Sequence, residues 1–95
     1  MPGRVIRPRG ELDLSTAPAL RDELLSAVRA VSVEDCRVIE VDLRDVSFMD
    51  VTAVSVLVLA RERLVAAGGQ LRLTHPARSV ARLLALVGLQ DLISD

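Results

Sequence analysis

Aromatic residues are almost missing from this sequence: Phe48 is its single ring, and Trp and Tyr are absent. A stacking platform for single-stranded nucleic acid needs several rings beside basic residues, so that class of function is excluded. Lysine is missing too, and all 12 basic residues are arginine. A net charge of −1 gives neither nucleic acid nor an anionic membrane surface a bulk electrostatic attraction. Cys36 is the single cysteine, which rules out an intramolecular disulfide and favours a reducing, cytoplasmic setting. Its place before an apolar strand suits an inert, packed thiol. No apolar run reaches membrane-spanning length, and the start at Met1-Pro2-Gly3-Arg4 has no signal core, so the expected location is the cytoplasm.

The usual catalytic frames are also lacking. No Gly-x-Ser-x-Gly turn surrounds Ser55, and there is no Gly-rich phosphate loop of the Walker kind. One histidine and one cysteine cannot build a typical zinc site. His75, before Pro76, suits a solvated loop. The sequence therefore predicts neither an enzyme nor a cofactor, and points to a module that binds other proteins.

What is present is a hydrophobic content of 51% in 95 residues, enough for one small core in a single domain spanning 1–95. Val5 to Arg9 is a short extended piece, with Pro8 favouring a sheet edge. Gly10 to Leu14 predicts a turn into a helix capped by Ser15 or Thr16, with Pro18 in its first turn. Ala17, Leu20, Leu24, Ala27, Val28 and Val31 then recur at helical spacing, and Ser32 to Asp35 form a polar connection. Val38 to Leu43 predicts a strand with Ile39, Val41 and Leu43 on one face.

Thr52 to Ala67 is rich in β-branched residues, but its length and the Gly68-Gly69 stop favour a helix. Ala53, Val56, Leu57, Ala60, Leu64 and Ala67 would form its buried stripe. Val51, Ser55, Val58 and Leu59 would point away from that stripe as an outer patch. Gln70 to Thr74 predicts a third strand with Leu71 and Leu73 inward. Ala77 to Val87 predicts a third helix with Val80, Leu83, Leu84 and Val87 on one face, and Leu89 to Ile93 a final apolar turn. Strand and helix alternate, which predicts an α/β fold on a small, mostly parallel β-sheet.

The stretch Val46-Ser47-Phe48-Met49-Asp50-Val51-Thr52 carries the chemistry. A carboxylate and a hydroxyl two residues apart open a helix, where both can accept from free backbone N–H groups. The same helix start favours an anion, including a phosphate attached covalently.

Three pieces together resemble the STAS domain, the family of bacterial anti-sigma factor antagonists. They are Gly10-Glu11-Leu12-Asp13-Leu14-Ser15-Thr16-Ala17, then Val41-Asp42-Leu43 through Val46-Ser47-Phe48-Met49-Asp50, then Gly68-Gly69-Gln70-Leu71-Arg72-Leu73 with Val87-Gly88-Leu89. The resemblance implies partner switching: the unphosphorylated antagonist binds an anti-sigma factor with serine/threonine kinase activity, and phosphorylation releases it. A phosphatase resets the cycle. The family's acceptor hydroxyl, two positions after the motif's aspartate, corresponds to Thr52.

The family's common D-S-S/T-G reads Asp50-Val51-Thr52-Ala53 here, which keeps the hydroxyl and loses the glycine. Against the family pattern, a strand before Val5 and a strand and helix after Ile93 are missing. The sheet edge left bare would invite a second copy, and so a homodimer, or another partner. Asp13 and Asp50 are expected near Thr52 on one rim of the sheet. At ~6 Å and an effective dielectric of ~20–40, each would oppose a phosphate charge by roughly 1.5–3 kcal/mol before screening. With Val51, Ser55, Val58 and Leu59 they form the expected partner-binding surface. The alternative is a STAS scaffold that is never phosphorylated, an accessory subunit of a transport or signalling complex; Val51 and Ala53 favour it.

Overall fold

In a computed structural model, residues 4–34 and 37–94 are described, the side chains of 32–34 excepted; the packed thiol expected at Cys36 falls outside them. The elements are β1 (Arg4–Ile6), β2 (Gly10–Leu12), α1 (Ala17–Glu34), β3 (Val38–Asp42), β4 (Val46–Met49), α2 (Val51–Ala66), β5 (Gln70–Thr74), α3 (Arg78–Leu86), a 3-10 turn (Gln90–Leu92) and β6 (Ile93–Ser94). β1, β3, β5 and β6 form a four-stranded sheet in that order, with every neighbouring pair parallel. This is the α/β architecture that the alternation predicts.

β2 and β4 lie outside that sheet and pair with each other, again in parallel. Neither is expected from the sequence, which reads Gly10–Leu14 as a turn and assigns Val46–Met49 no strand. They recur at the same place in the fold. Each follows a strand of the main sheet and precedes a helix, so β1-β2-α1 and β3-β4-α2 are two versions of one unit. Their pairing brings the starts of α1 and α2 together.

The core lies on one side of the main sheet. Ile6, Ile39, Val41, Leu71 and Leu73 are buried against Leu24, Leu57, Leu64 and Leu84 of the three helices. The residues between them in the strands, Val5, Gln70 and Arg72, are exposed. α2 is helical throughout its β-branched run because its stripe packs on the core. Burying one Leu or Val is worth ~1.5–3 kcal/mol, more than the few tenths by which β-branching disfavours a helical residue. The stripe differs in detail from expectation: Val54 is buried, whereas Ala67 is exposed as the C-cap residue.

α2 ends where Gly68 turns at φ +83°. At Gly69 a Cβ would stand 2.9 Å from the Arg37 carbonyl oxygen, so the chain needs glycine to re-enter the sheet there. Other boundaries move as well: β1 is Arg4–Ile6, where the sequence suggests an extended piece from Val5 to Arg9. α1 continues through Ser32–Glu34, α3 stops at Leu86, and Val87 is exposed. Beyond Gly88 the chain forms the 3-10 turn and β6, whose Ile93 and Ser94 pair with Leu73 and Thr74.

Among the described residues two polar ones are buried, and both have partners. Asp42 accepts from the Arg44 backbone N–H at 3.1 Å and from its guanidinium Nε at 2.9 Å. Burial pushes this carboxyl up, but those donors and the two nearby arginines outweigh it and hold the group below its ordinary value. Thr74 donates its hydroxyl to Glu40 at 2.8 Å.

Candidate functional site

The rim where β2 and β4 end is built by two aspartates that follow paired residues. Leu12 and Met49 are partners in the ladder, and the Asp50 N–H donates to the Leu12 carbonyl at 3.0 Å. Asp13 and Asp50 are the next residues along each strand, so the expected meeting of the two acids on one rim is what the register produces.

They hold their helices differently. Asp50 is the N-cap of α2, its Oδ1 accepting from the N–H groups of Thr52 at 2.9 Å and Ala53 at 3.3 Å. Such a cap is worth ~1 kcal/mol. It puts Val51, not Thr52, at the first helical position. Four residues separate β2 from α1, and there Asp13 organises a tight turn. Its Oδ1 accepts from the Ser15 hydroxyl at 2.7 Å, the Ser15 N–H at 3.0 Å and the Thr16 N–H at 3.3 Å. These donors, the Ser15 hydroxyl foremost, hold the Asp13 carboxyl below its ordinary value. Thr16 turns its hydroxyl back to the Glu11 carbonyl at 2.8 Å instead of capping α1.

The hydroxyls at the two helix starts therefore differ in availability. Ser15 and Thr16 are engaged in the turn, and Ser55 donates to the Val51 carbonyl at 3.0 Å. Thr52 alone among the four makes no hydrogen bond through its hydroxyl to any described residue. Its side chain is half-buried in a groove of about 150 Å³ between α1 and α2, lined also by Leu14, Ala17, Pro18, Arg21 and Val56.

Around that groove the surface is apolar and open. Leu14 is 75% exposed and Val51 69%, and Phe48 on β4 is 50% exposed. Of the outer patch expected on α2, Val51 and Ser55 face solvent, while Val58 and Leu59 are half-buried and Val58 packs against the core. Leu14 and Arg21 were not singled out from the sequence; they reach the site only because the two helices start side by side.

A wider cleft, about 750 Å³, lies between Arg7, Arg9, Gly10 and Asp45, with Arg7 and Asp45 joined by an exposed ion pair at 2.9 Å. It contains no hydroxyl or thiol. Among the described residues no three His, Cys, Asp or Glu side chains gather as metal ligands, and no helix is long and apolar enough to cross a membrane.

The model of the STAS domain matches residues 2–94. The chain belongs to the STAS family. It is 34% identical over 85 residues to the anti-sigma-B factor antagonist of Bacillus subtilis (strain 168), a match covering 88% of this chain and 72% of that protein. Its fold is similar to that of the anti-sigma factor antagonist SpoIIAA in the unphosphorylated form, with a TM-score of 0.81 at 26% identity over 96% of this chain and 76% of that one. The phosphorylated form of SpoIIAA, from Bacillus, matches with a TM-score of 0.73 at 25% identity over 96% of this chain and 79% of that one.

Proposed function

We propose that this STAS domain is a cytoplasmic anti-sigma factor antagonist whose binding is switched by phosphorylation at Thr52. The reading is carried by the single free hydroxyl among four at the paired helix starts, set in a domain whose relative in Bacillus subtilis is an anti-sigma-B factor antagonist. The unphosphorylated rim binds an anti-sigma factor with serine/threonine kinase activity. Asp13 and Asp50 supply its charge, Val51 its exposed apolar contact, and Ser55 with the exposed parts of Val58 and Leu59 its flank.

The kinase transfers the terminal phosphoryl group of ATP to Thr52 Oγ1. The Oγ1–P bond forms as the β,γ bridging P–O bond breaks, ADP leaves, and the hydroxyl proton passes to solvent or a kinase base. The modified rim gains about −1.5 to −2 charges next to two carboxylates, and a partner fitted to the neutral surface is expelled. A phosphatase reverses the step. The helix framework need not rearrange, because the change is one of charge and bulk at a surface already formed.

Calorimetric titration against the partner kinase tests the switch. Thr52→Ala should bind in the presence or absence of ATP, and Thr52→Glu should bind weakly in both. Equal affinity of wild type, Thr52→Ala and Thr52→Glu would overturn it, and would favour the constitutive scaffold.

A further inference from the structure

We infer that the open face of the main sheet is a self-association surface, covered by a second copy of this chain in a face-to-face dimer. The sheet of β1, β3, β5 and β6 is parallel throughout, and the core residues of all three helices pack on one side of it. Purely parallel sheets are as a rule covered on both faces. Here the second face is open: Val5 is 59% exposed, and Gln70 and Arg72 face solvent.

The register sets out what this face offers. Val5, Glu40 and Arg72 are partners across β1, β3 and β5, and they make one row on the open side. The charges that the strands put on this face are Glu40, Asp42 and Arg72. Asp42 is held by Arg44. The Glu40 carboxylate accepts from the Thr74 hydroxyl at 2.8 Å, two residues along β5 from Arg72. The Arg72 guanidinium makes no hydrogen bond or ion pair with any described residue. The middle of the face therefore carries a carboxylate and a cation in one row, with the cation unpaired.

Two copies packed face to face are related by a twofold axis lying between their sheets, and the charges select its direction. An axis parallel to the strands, between β3 and β5, sets β3 over β5 of the second copy. Glu40 then faces Arg72 of the second copy, and Arg72 faces Glu40 of the second copy, because the two share one row. An axis across the strands at that row would set Glu40 against Glu40 and Arg72 against Arg72, which like charges oppose. In the favoured arrangement β1 passes over β6 of the second copy, and Val5 is taken out of water. α1 and α2 lie on the other side of each sheet, so both rims stay open.

The test is sedimentation equilibrium of the full chain over a range of concentrations at low salt, where exposed charge pairs act most strongly. Wild type should show a reversible monomer–dimer equilibrium that weakens as salt is added. Glu40→Arg and Arg72→Glu should each weaken the dimer about tenfold or more, since each sets like charges face to face twice. An equimolar mixture of the two variants should regain association at the wild-type level, because every arginine then faces a glutamate of the other chain. Contacts within one chain cannot give that recovery. Arg82→Glu, at an exposed arginine on α3, should leave the equilibrium unchanged. Arg72→Glu, at an exposed position without a side-chain partner, carries the test alone if Glu40→Arg, which loses the Thr74 bond, does not fold. A wild type that stays monomeric at every concentration would overturn the inference. So would a dimer that Arg72→Glu leaves intact, which would place the contact at a sheet edge or elsewhere.

Discussion

The two helix starts on the rim share a design and differ in one dimension. Both follow a short strand, both begin with an aspartate, and both carry Ser or Thr within the next few residues. Before α1 the chain has four residues in which to turn, and it uses them to tie the Ser15 and Thr16 hydroxyls to Asp13 and Glu11. Before α2 it has one, Asp50, whose carboxylate goes to backbone N–H groups. Thr52 lies inside the helix with its own N–H satisfied and its hydroxyl left over. The longer turn ties its hydroxyls into the structure, and the shorter one leaves the Thr52 hydroxyl without a hydrogen bond to any described residue.

That contrast can be broken in solution. The largest effect is expected from placing a charge at each turn in parallel. Thr52→Glu should weaken partner binding by about tenfold or more, corresponding to ~1.4 kcal/mol, whereas Ser15→Glu should have a much smaller effect. Comparable losses at both turns would mean that acidity anywhere on the rim is sufficient. Next is the cap. Asp50→Ala should cost ~1 kcal/mol in a denaturant titration, and Asp50→Asn should retain most of the stability, because an amide oxygen still accepts from Thr52 and Ala53. A neutral Asp50→Ala would mean that packing, not the cap, fixes where α2 begins.

The Asp13 turn is sharpened by pH. Its carboxyl is held below the ordinary value in the folded state, chiefly by the Ser15 hydroxyl. A group with a depressed folded pKa stabilises the fold above its unfolded pKa and loses that contribution as pH falls through the folded one. The stability gap between wild type and Asp13→Asn should therefore be constant near neutrality and shrink below about pH 4. A gap independent of pH down to the acid transition would contradict the assigned hydrogen bonds. The smallest effect is expected away from the helix starts, at the exposed Arg7–Asp45 ion pair. Arg7→Ala should change stability by no more than about 0.5–1 kcal/mol.

The helices and the two five-residue strands, β3 and β5, were legible in the sequence because each spans enough residues to show its period. Leu20, Leu24, Ala27 and Val31 of α1 repeat at helical spacing, and Leu71 and Leu73 alternate across β5. β2 and β4 were not legible. Three residues beginning at Gly10 carry one inward side chain, Leu12. In β4 the buried Val46 and Met49 enclose two exposed residues, Ser47 and Phe48, so the alternation that marks a strand is missing. Phe48 misleads further, since the lone aromatic ring in the chain is half exposed instead of packed in the core.

Asp50 and Thr52 could be named from residue type and motif spacing. The neighbours that complete the site could not, because Leu14 and Arg21 meet Thr52 only through the β2–β4 pairing. That pairing is itself held by backbone hydrogen bonds, Asp50 N–H to Leu12 and Gly10 N–H to Asp45, which side-chain identity does not encode. The difference between an engaged and a free hydroxyl was hidden for the same reason, being set by the length of the turn.

The most direct measurement is to incubate the protein with the anti-sigma factor kinase proposed as its partner and Mg-ATP, then locate the phosphate by mass spectrometry. The account predicts one modified residue, Thr52, and no modification of Ser15, Thr16 or Ser55. Phosphate on any of those three, or none on Thr52 with a kinase active on its own substrate, would contradict it.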